Sequence, residues 1–185
     1  MPGTSPILIV DLEATCADDG SIPSEEMEII EVGAAWATAD GHVLDTFQCF
    51  VLPMMRPQLT GFCTELTKIA QGDVDGAEAW ATTAPHLADF ARRYEGSCWA
   101  SWGAYDRLQV ARECARHAVA NPLAQLPHTN LKAAFAKARR IKQVGMTTAL
   151  KIVGKSLEGP HHRALSDALN VARVLPFCGP LSPIH

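Results

Sequence analysis

Apolar positions in this chain change their rhythm once: they first run together or alternate, and later they return every three or four residues. The opening run Ile7-Leu8-Ile9-Val10 passes straight into Asp11-Leu12-Glu13. That pattern predicts a buried strand over 7–13 with charge only at its end. The stretch 14–26 holds Asp18-Asp19-Gly20 and Pro23 and reads as a polar loop. Residues 28–38, with apolar Ile29, Ile30, Val32 and Trp36, predict a second strand. Asp40-Gly41 is a turn pair, and 43–52 alternate as the return strand of a hairpin that Pro53 and Pro57 end.

Beyond the hairpin the pattern is mostly helical. A short helix is expected from about residue 64, with Leu66, Ile69 and Ala70 on one side. A longer one, from 77 or 82 to 94, buries Leu87 and Phe90. Gly96 ends it, and 97–102 reads as a fourth strand. Asp106 then opens a helix through about 119, stopped by Asn121-Pro122. Helices over 130–139 and 147–153 follow. The last, 163–175, sets Ala164, Leu165, Ala168, Leu169, Ala172 and Leu175 at three- and four-residue spacing as a buried stripe. A hairpin followed by strands and helices predicts an α/β layered domain with a mixed sheet. Acids at strand ends and on adjoining helices would converge at one edge of that sheet.

A length of 185 residues suits one domain with a real core. No apolar run approaches the ~20 residues of a membrane span, so a membrane partner is not expected. Met1-Pro2-Gly3-Thr4-Ser5-Pro6 lacks the basic start of a secretory signal. The cysteines (Cys16, Cys49, Cys63, Cys98, Cys114, Cys178) show no CxxC or zinc-knuckle spacing, and reduced thiols in a cytoplasmic setting are expected. Net charge is −4, but it is polarised: residues 1–90 carry 15 acids and two bases, and residues 91–185 carry five acids and 14 bases. An acidic metal-binding part and a basic part facing a polyanion would give this contrast.

The candidate chemistry begins with Asp11 and Glu13. On a strand, residues two apart share a face, so both carboxylates can hold the same ions. Hard cations such as magnesium and manganese take oxygen ligands, and phosphodiester hydrolysis suits two of them about 4 Å apart. Asp106 closes Ser101-Trp102-Gly103-Ala104-Tyr105-Asp106 at a helix start, a place for capping, for metal contact, or for both. Asp167 departs from the apolar stripe, so its carboxylate is expected in a cleft rather than in the core. His161 and His162 precede that helix after Gly159-Pro160. A histidine, with a reference pKa near ~6.5, accepts a proton from water at neutral pH. Trp102 and Tyr105 are candidate walls for a base. Lys137-Ala138-Arg139-Arg140-Ile141-Lys142, with Lys151, Lys155 and Arg163, is a candidate phosphate track.

Five segments together resemble a known family: Val10-Asp11-Leu12-Glu13-Ala14-Thr15-Cys16; Ile29-Ile30-Glu31-Val32-Gly33; Phe62-Cys63-Thr64-Glu65-Leu66-Thr67; Ser101-Trp102-Gly103-x-Tyr105-Asp106; and His162-Arg163-Ala164-x-x-Asp167-Ala168-x-Asn170. They look like the DEDDh 3′→5′ exonucleases, most of all the enhanced-RNAi and KapD-like branch. The resemblance implies an RNase H-like mixed five-stranded sheet flanked by helices. It implies an exonuclease domain over 7–177, with an extension over 1–6 and a tail over 178–185. By the same resemblance Asp11, Glu13, Asp106 and Asp167 bind two divalent cations, Mg2+ or Mn2+. His162 rather than His161 is then the general base, and Glu13 shares in catalysis. Glu13, the backbone near Ala14 and Thr15, Trp102 and His162 would contact the terminal nucleotide. The implied substrates are single-stranded RNA or DNA 3′ ends, RNA preferred, and the product is a nucleoside 5′-monophosphate. Ser166, Ala164 and Leu12 depart from residues frequent in this branch, and none of them removes a ligand. Two other readings stand beside this one: a haloacid-dehalogenase-type phosphatase with Asp11 as nucleophile, and a non-catalytic nucleic-acid-binding module of the same fold.

Overall fold

The computed structural model describes residues 5–96 and 98–181. Ser97, the expected start of the fourth strand, lies outside the described residues, as do 1–4 and 182–185 of the expected extension and tail. β1 (Ile7–Ala14), β2 (Ile29–Ala37) and β3 (Val43–Phe50) form an antiparallel meander. Next come α1 (Gly61–Thr67), α2 (Gln71–Asp75) and α3 (Trp80–Ala91). β4 (Cys98–Ser101) leads into α4 (Tyr105–His117), and β5 (His128–Asn130) into α5 (Leu131–Arg139). α6 (Met146–Ile152) and α7 (Ala164–Ala172) complete the set, followed by a 3-10 turn over Leu175–Phe177. β4 and β5 add in parallel beside β1, giving a mixed sheet in the order β3-β2-β1-β4-β5.

Alternation along β1 divides the core. Leu8, Val10 and Leu12 join Trp80, Leu87 and Phe90 of α3 and Val110 of α4 on one face. Ile7 and Ile9 join Phe135 of α5, Leu150 of α6 and Ala168 and Val171 of α7 on the other. Every residue of β2 is buried because helices cover both faces of this inner strand. β3, at the edge, alternates between half-buried and exposed over most of its length.

Several boundaries move for physical reasons. The first helix starts at Gly61, not 64, because Thr60 caps it by accepting from Cys63 N at 3.0 Å. Lys68, left-handed at φ 60, ends it, so Ile69 and Ala70 lie beyond it. Ile69 is still buried, in a satellite cluster with Ile30, Leu59, Cys63 and Val74. The third helix stops at Ala91 rather than at 94. Asn130 caps α5 from the end of β5 rather than belonging to the helix. The stripe expected over 163–175 also shifts: Arg163 is the N-cap, Leu175 falls in the 3-10 turn, and Leu165 and Leu169 are only half-buried. Small residues face the sheet instead. A β-carbon on Gly33 would sit 2.1 Å from the Ala164 backbone, so glycine on β2 and alanine on α7 let helix and strand approach closely.

Candidate active site

The sheet opens beside the second half of β1. β4 pairs with β1 only at Ile7, Leu8 and Ile9, so the backbone beyond Ile9 lacks a neighbour on that side. Asp106, in the first turn of α4, occupies the gap, and its Oδ1 accepts from Leu12 N at 3.1 Å. The N-cap of α4 is Ala104, with no side-chain cap. Asp106 therefore ties two elements together rather than capping its own helix.

Asp11 and Glu13 continue the face of Ile7 and Ile9, the side covered by α7. Across the ladder Asp11 stands opposite Gly33, and Glu13 opposite Glu31. The close approach at Gly33 brings the first turn of α7, with Asp167, over this pair. Asp167 thus lies on the buried face of its helix, 5% exposed, and not off it as the sequence suggested. The polarity of its neighbours explains the difference: the face holds alanines along the helix and opens onto acids at its N-terminal end. Asp11, Glu13 and Asp167 offer carboxylate oxygens that all lie within 4.8 Å of one another. With Asp106, His161 and His162 they line one cavity of about 470 Å³.

The electrostatics are those of crowded acids. Burial raises the Asp11 pKa well above the usual carboxylate range, and the charges of Asp106 and Glu13 add to it. Burial likewise pushes Glu13 up to about 8, helped by Asp167 and Glu31. Asp106 is raised to about 6 by burial, against the pull of hydrogen bonds from its own backbone and from that of Leu12. None of the seven cationic side chains expected to form a phosphate track lines this cavity. Arg163 is engaged with Glu31 at 2.9 Å, and Lys137 and Arg140 border a separate cavity.

Both histidines reach Asp167. The His161 Nδ1 lies 2.9 Å from its Oδ2, and the His162 backbone N donates to the same oxygen at 3.0 Å. Their rings stack with centroids 3.9 Å apart. Burial and the neighbouring His161 lower the His162 pKa, which favours the neutral ring that accepts a proton. Of the other expected contacts, Ala14 and Trp102 line the cavity. Trp102 is held by its indole N–H, which donates to Val144 O at 3.1 Å. Tyr105 also lines the cavity, with its hydroxyl directed to Met27 Sδ at 3.7 Å. Thr15 does not line it: its hydroxyl accepts from Glu28 N, its N–H donates to Glu28 O, and it is buried.

Comparison with known proteins decides the family. The Exonuclease (RNase_T) family model matches residues 8–175. The chain belongs to this exonuclease family. Among its relatives is the "3'-5' exonuclease Snipper" of Drosophila melanogaster, 27% identical over 91% of this chain and 67% of that protein. The human "3'-5' exoribonuclease 1" is 28% identical over 91% of this chain and 50% of its own length, so the chain spans only about half of that relative. Solved structures agree. The nuclease domain of "3'hExo, a DEDDh family member, bound to rAMP" superposes with TM-score 0.84 at 27% identity, covering 92% of this chain and 90% of that one. A structure of "3'-end specific recognition of histone mRNA stem-loop by 3'-exonuclease" gives TM-score 0.85 at 26% identity, covering 94% and 81%. The exonuclease-family chain therefore stands among DEDDh-type 3′–5′ exonuclease hydrolases with an RNase H-like fold. An antiparallel β1-β2-β3 unit also separates it from the doubly wound parallel sheets in which an aspartyl phosphatase would be sought.

Sequence reasoning missed two partners of the site. His161 contacts Asp167 directly, and an i+6 spacing across a loop gives no periodic signal of that. Glu31 is fully buried beside Glu13. A lone acid between Ile30 and Val32 in an apolar strand was the visible sign that a buried charge required an answering cation.

Proposed function

We propose that this chain is a two-metal-dependent 3′→5′ exonuclease that acts on single-stranded 3′ ends of RNA, and less readily DNA, releasing nucleoside 5′-monophosphates. The observation that carries the reading is the convergence of Asp11, Glu13, Asp106 and Asp167 on one cavity that no lysine or arginine lines among the described residues. The donor set fits hard divalent cations: it is all oxygen, three of the carboxylates lie within 4.8 Å of one another, and burial disfavours the charges of Asp11 and Glu13 until cations offset them. Bound Mg2+ or Mn2+ would supply positive charge to the phosphodiester and make water a better nucleophile. Asp11, Glu13 and Asp167 would hold the ions, and Asp106, which fixes β1 to α4, would join them.

His162 is the residue proposed to take the proton from the attacking water, with His161 stacked against it. Glu13 and the Ala14 backbone would seat the terminal nucleotide, and Trp102 and Tyr105 would wall its base. Residues 7–177 are assigned as the exonuclease domain, between an extension over 1–6 and a tail over 178–185. A cytoplasmic setting belongs to the same proposal and rests on cysteine spacing without CxxC or zinc-knuckle pairs. The test is a pair of matched 3′-tailed RNA and DNA oligonucleotides, labelled at the 5′ end, incubated in Mg2+, in Mn2+ and in EDTA. A ladder shortening from the 3′ end, with nucleoside 5′-monophosphates released and all cleavage lost in EDTA, is expected. Internal cuts, 3′-phosphate products or metal-independent cleavage would refute the reading, and binding without cleavage would favour the non-catalytic module.

A further inference from the structure

His161 and His162 lie on a stretch of chain that packing alone does not fix. It runs through Gly159, at φ 73, and Pro160 to His162, itself left-handed at φ 59. A second cavity, of about 390 Å³, borders Gly159, Pro160, Arg163 and Ser166. The upstream end is tied to α7: Asn170 Nδ2 and Ser166 Oγ donate to Glu158 O at 2.7 and 3.1 Å. The downstream end is tied to the sheet through one carboxylate. Arg163 Nε and Nη2 donate to Glu31 at 3.1 and 2.9 Å, and Ala164 N donates to it at 3.0 Å. Gln48 Nε2 adds a bond at 2.6 Å, and the Phe50 ring lies 5.5 Å from the guanidinium.

Glu31 stands opposite Glu13 on the neighbouring strand. Arg163 directly follows His162, and Ala164 opens the helix that carries Asp167. One fully buried carboxylate therefore fixes, relative to β1 and β2, both the residue after the histidine and the start of the helix bearing the fourth acid. Stability is a poor reason for such a pair, since an apolar pair of similar volume often does as well or better. Geometry is a better one, because a planar fork gripping a carboxylate sets direction as well as distance.

We infer that Glu31, through its fork to Arg163 and its bond from Ala164 N, is a positioning residue that sets where His162 and Asp167 stand above Asp11 and Glu13. The inference rests on the exonuclease reading for its functional meaning.

The test uses the full chain with Glu31→Gln, Arg163→Lys and Arg163→Met. Steady-state hydrolysis of a 3′-tailed RNA in saturating Mg2+ is one readout. The ¹H–¹³C resonance of the His162 ring in metal-free protein is the other. A displacement on the order of an ångström at the reacting groups predicts a loss in kcat of ~10- to 100-fold in Glu31→Gln, with KM little changed. Arg163→Lys should recover part of what Arg163→Met loses, and the His162 resonance should move in Glu31→Gln. Folded Glu31→Gln with wild-type kcat and an unmoved His162 signal would overturn the inference, whatever its melting temperature. If Glu31→Gln does not fold, the two Arg163 variants decide: kcat ordered wild type, Lys, Met supports the inference, and any other order overturns it. Absence of metal-dependent hydrolysis in the wild type would defeat the exonuclease reading instead, and the resonance comparison would still judge the positioning.

Discussion

Glu28 and Glu113, with His117, form a compact group of metal-capable side chains where β2 begins beside α4, and it contrasts instructively with Asp11, Glu13 and Asp167. Both groups are buried or nearly so, and in both the ligand atoms fall within 4.8 Å of one another. Their surroundings differ. Glu28 accepts from the backbone N–H groups of Met54, Met55 and Arg56. Glu113 accepts from Arg116 at 2.8 Å and from Ile29 N at 3.3 Å, with His117 at 3.2 Å. For Asp11 and Glu13 every leading influence, burial and neighbouring acids alike, raises the pKa. An acid placed for architecture is given donors by the chain. Asp167 is met by His161 and by the His162 N–H. Asp11 and Glu13, crowded by other acids and given no such donor among the described residues, are a liability that ions from solution relieve, which is the mark of a working site.

The largest expected effect breaks the two groups apart by activity. Asp11→Asn and Asp167→Asn should each lower metal-dependent hydrolysis by at least ~10³-fold, because charge that stabilises the transition state is lost. Glu113→Gln should leave kcat near wild type when measured well below its melting temperature. Melting in EDTA should show opposite signs: Asp11→Asn raises Tm by removing an unanswered buried charge, and Glu113→Gln lowers it. Equal losses of kcat from both groups in folded protein would erase the distinction.

Next in size is a pure stability effect. Glu28→Ala removes the acceptor for three part-buried backbone N–H groups around 54–56. Losing these bonds costs about 1–3 kcal/mol in total, since water replaces the acceptor only in part. Urea denaturation measures it. Turnover per folded molecule should not change, so a fall in kcat would mean that this cluster also supports the site.

Metal and pH sharpen the contrast further. Glu13, at about 8, and Asp106, at about 6, have folded-state pKa values above those of the unfolded chain, near ~4. The folded form therefore keeps protons that the unfolded form releases. Their contribution to stability is full below the unfolded values and is lost as pH rises through about 6 and then about 8. In EDTA, Tm should fall between acidic and mildly alkaline pH. Mg2+ should raise it increasingly as pH rises, and a hundredfold excess over Kd contributes about 2.7 kcal/mol of stability. Asp11→Asn should blunt the Mg2+ response, and Glu113→Gln should not.

These differences also explain what the sequence disclosed. Asp11 and Glu13 were visible because four aliphatic residues precede them, and strand alternation alone puts both on the Ile7–Ile9 face. β5 has only three residues, too few for a periodic signal, and only the resemblance to a family called for a fifth strand. Asp167 lines a cleft as expected, but from the buried face of its helix, because the helix meets the sheet with alanines. The large Leu165 and Leu169, which marked the expected stripe, sit on its flank. Sequence spacing cannot tell Glu28 from Glu13. Each is an acid beside an apolar strand, and only the donors brought to Glu28 from residues 54–56 separate them.

The smallest predicted effect concerns the lysines and arginines of the basic half, none of which lines the carboxylate cavity among the described residues. Lys137 and Arg140 are exposed and border a different cavity, so they can act on a polyanion only through the longer-range field. Replacing both with glutamine should raise KM for a long 3′-tailed RNA about two- to threefold at ~50 mM salt, and the effect should vanish near ~200 mM, where screening and counterion release dominate. Neither kcat nor the cleavage of a dinucleotide should change, because a dinucleotide is too short to reach cations outside the cavity. A kcat change, or an effect that survives high salt, would place these residues in direct contact with the scissile end. The unanswered acids would then be balanced in part by the chain itself, and the contrast with Glu28 and Glu113 would weaken.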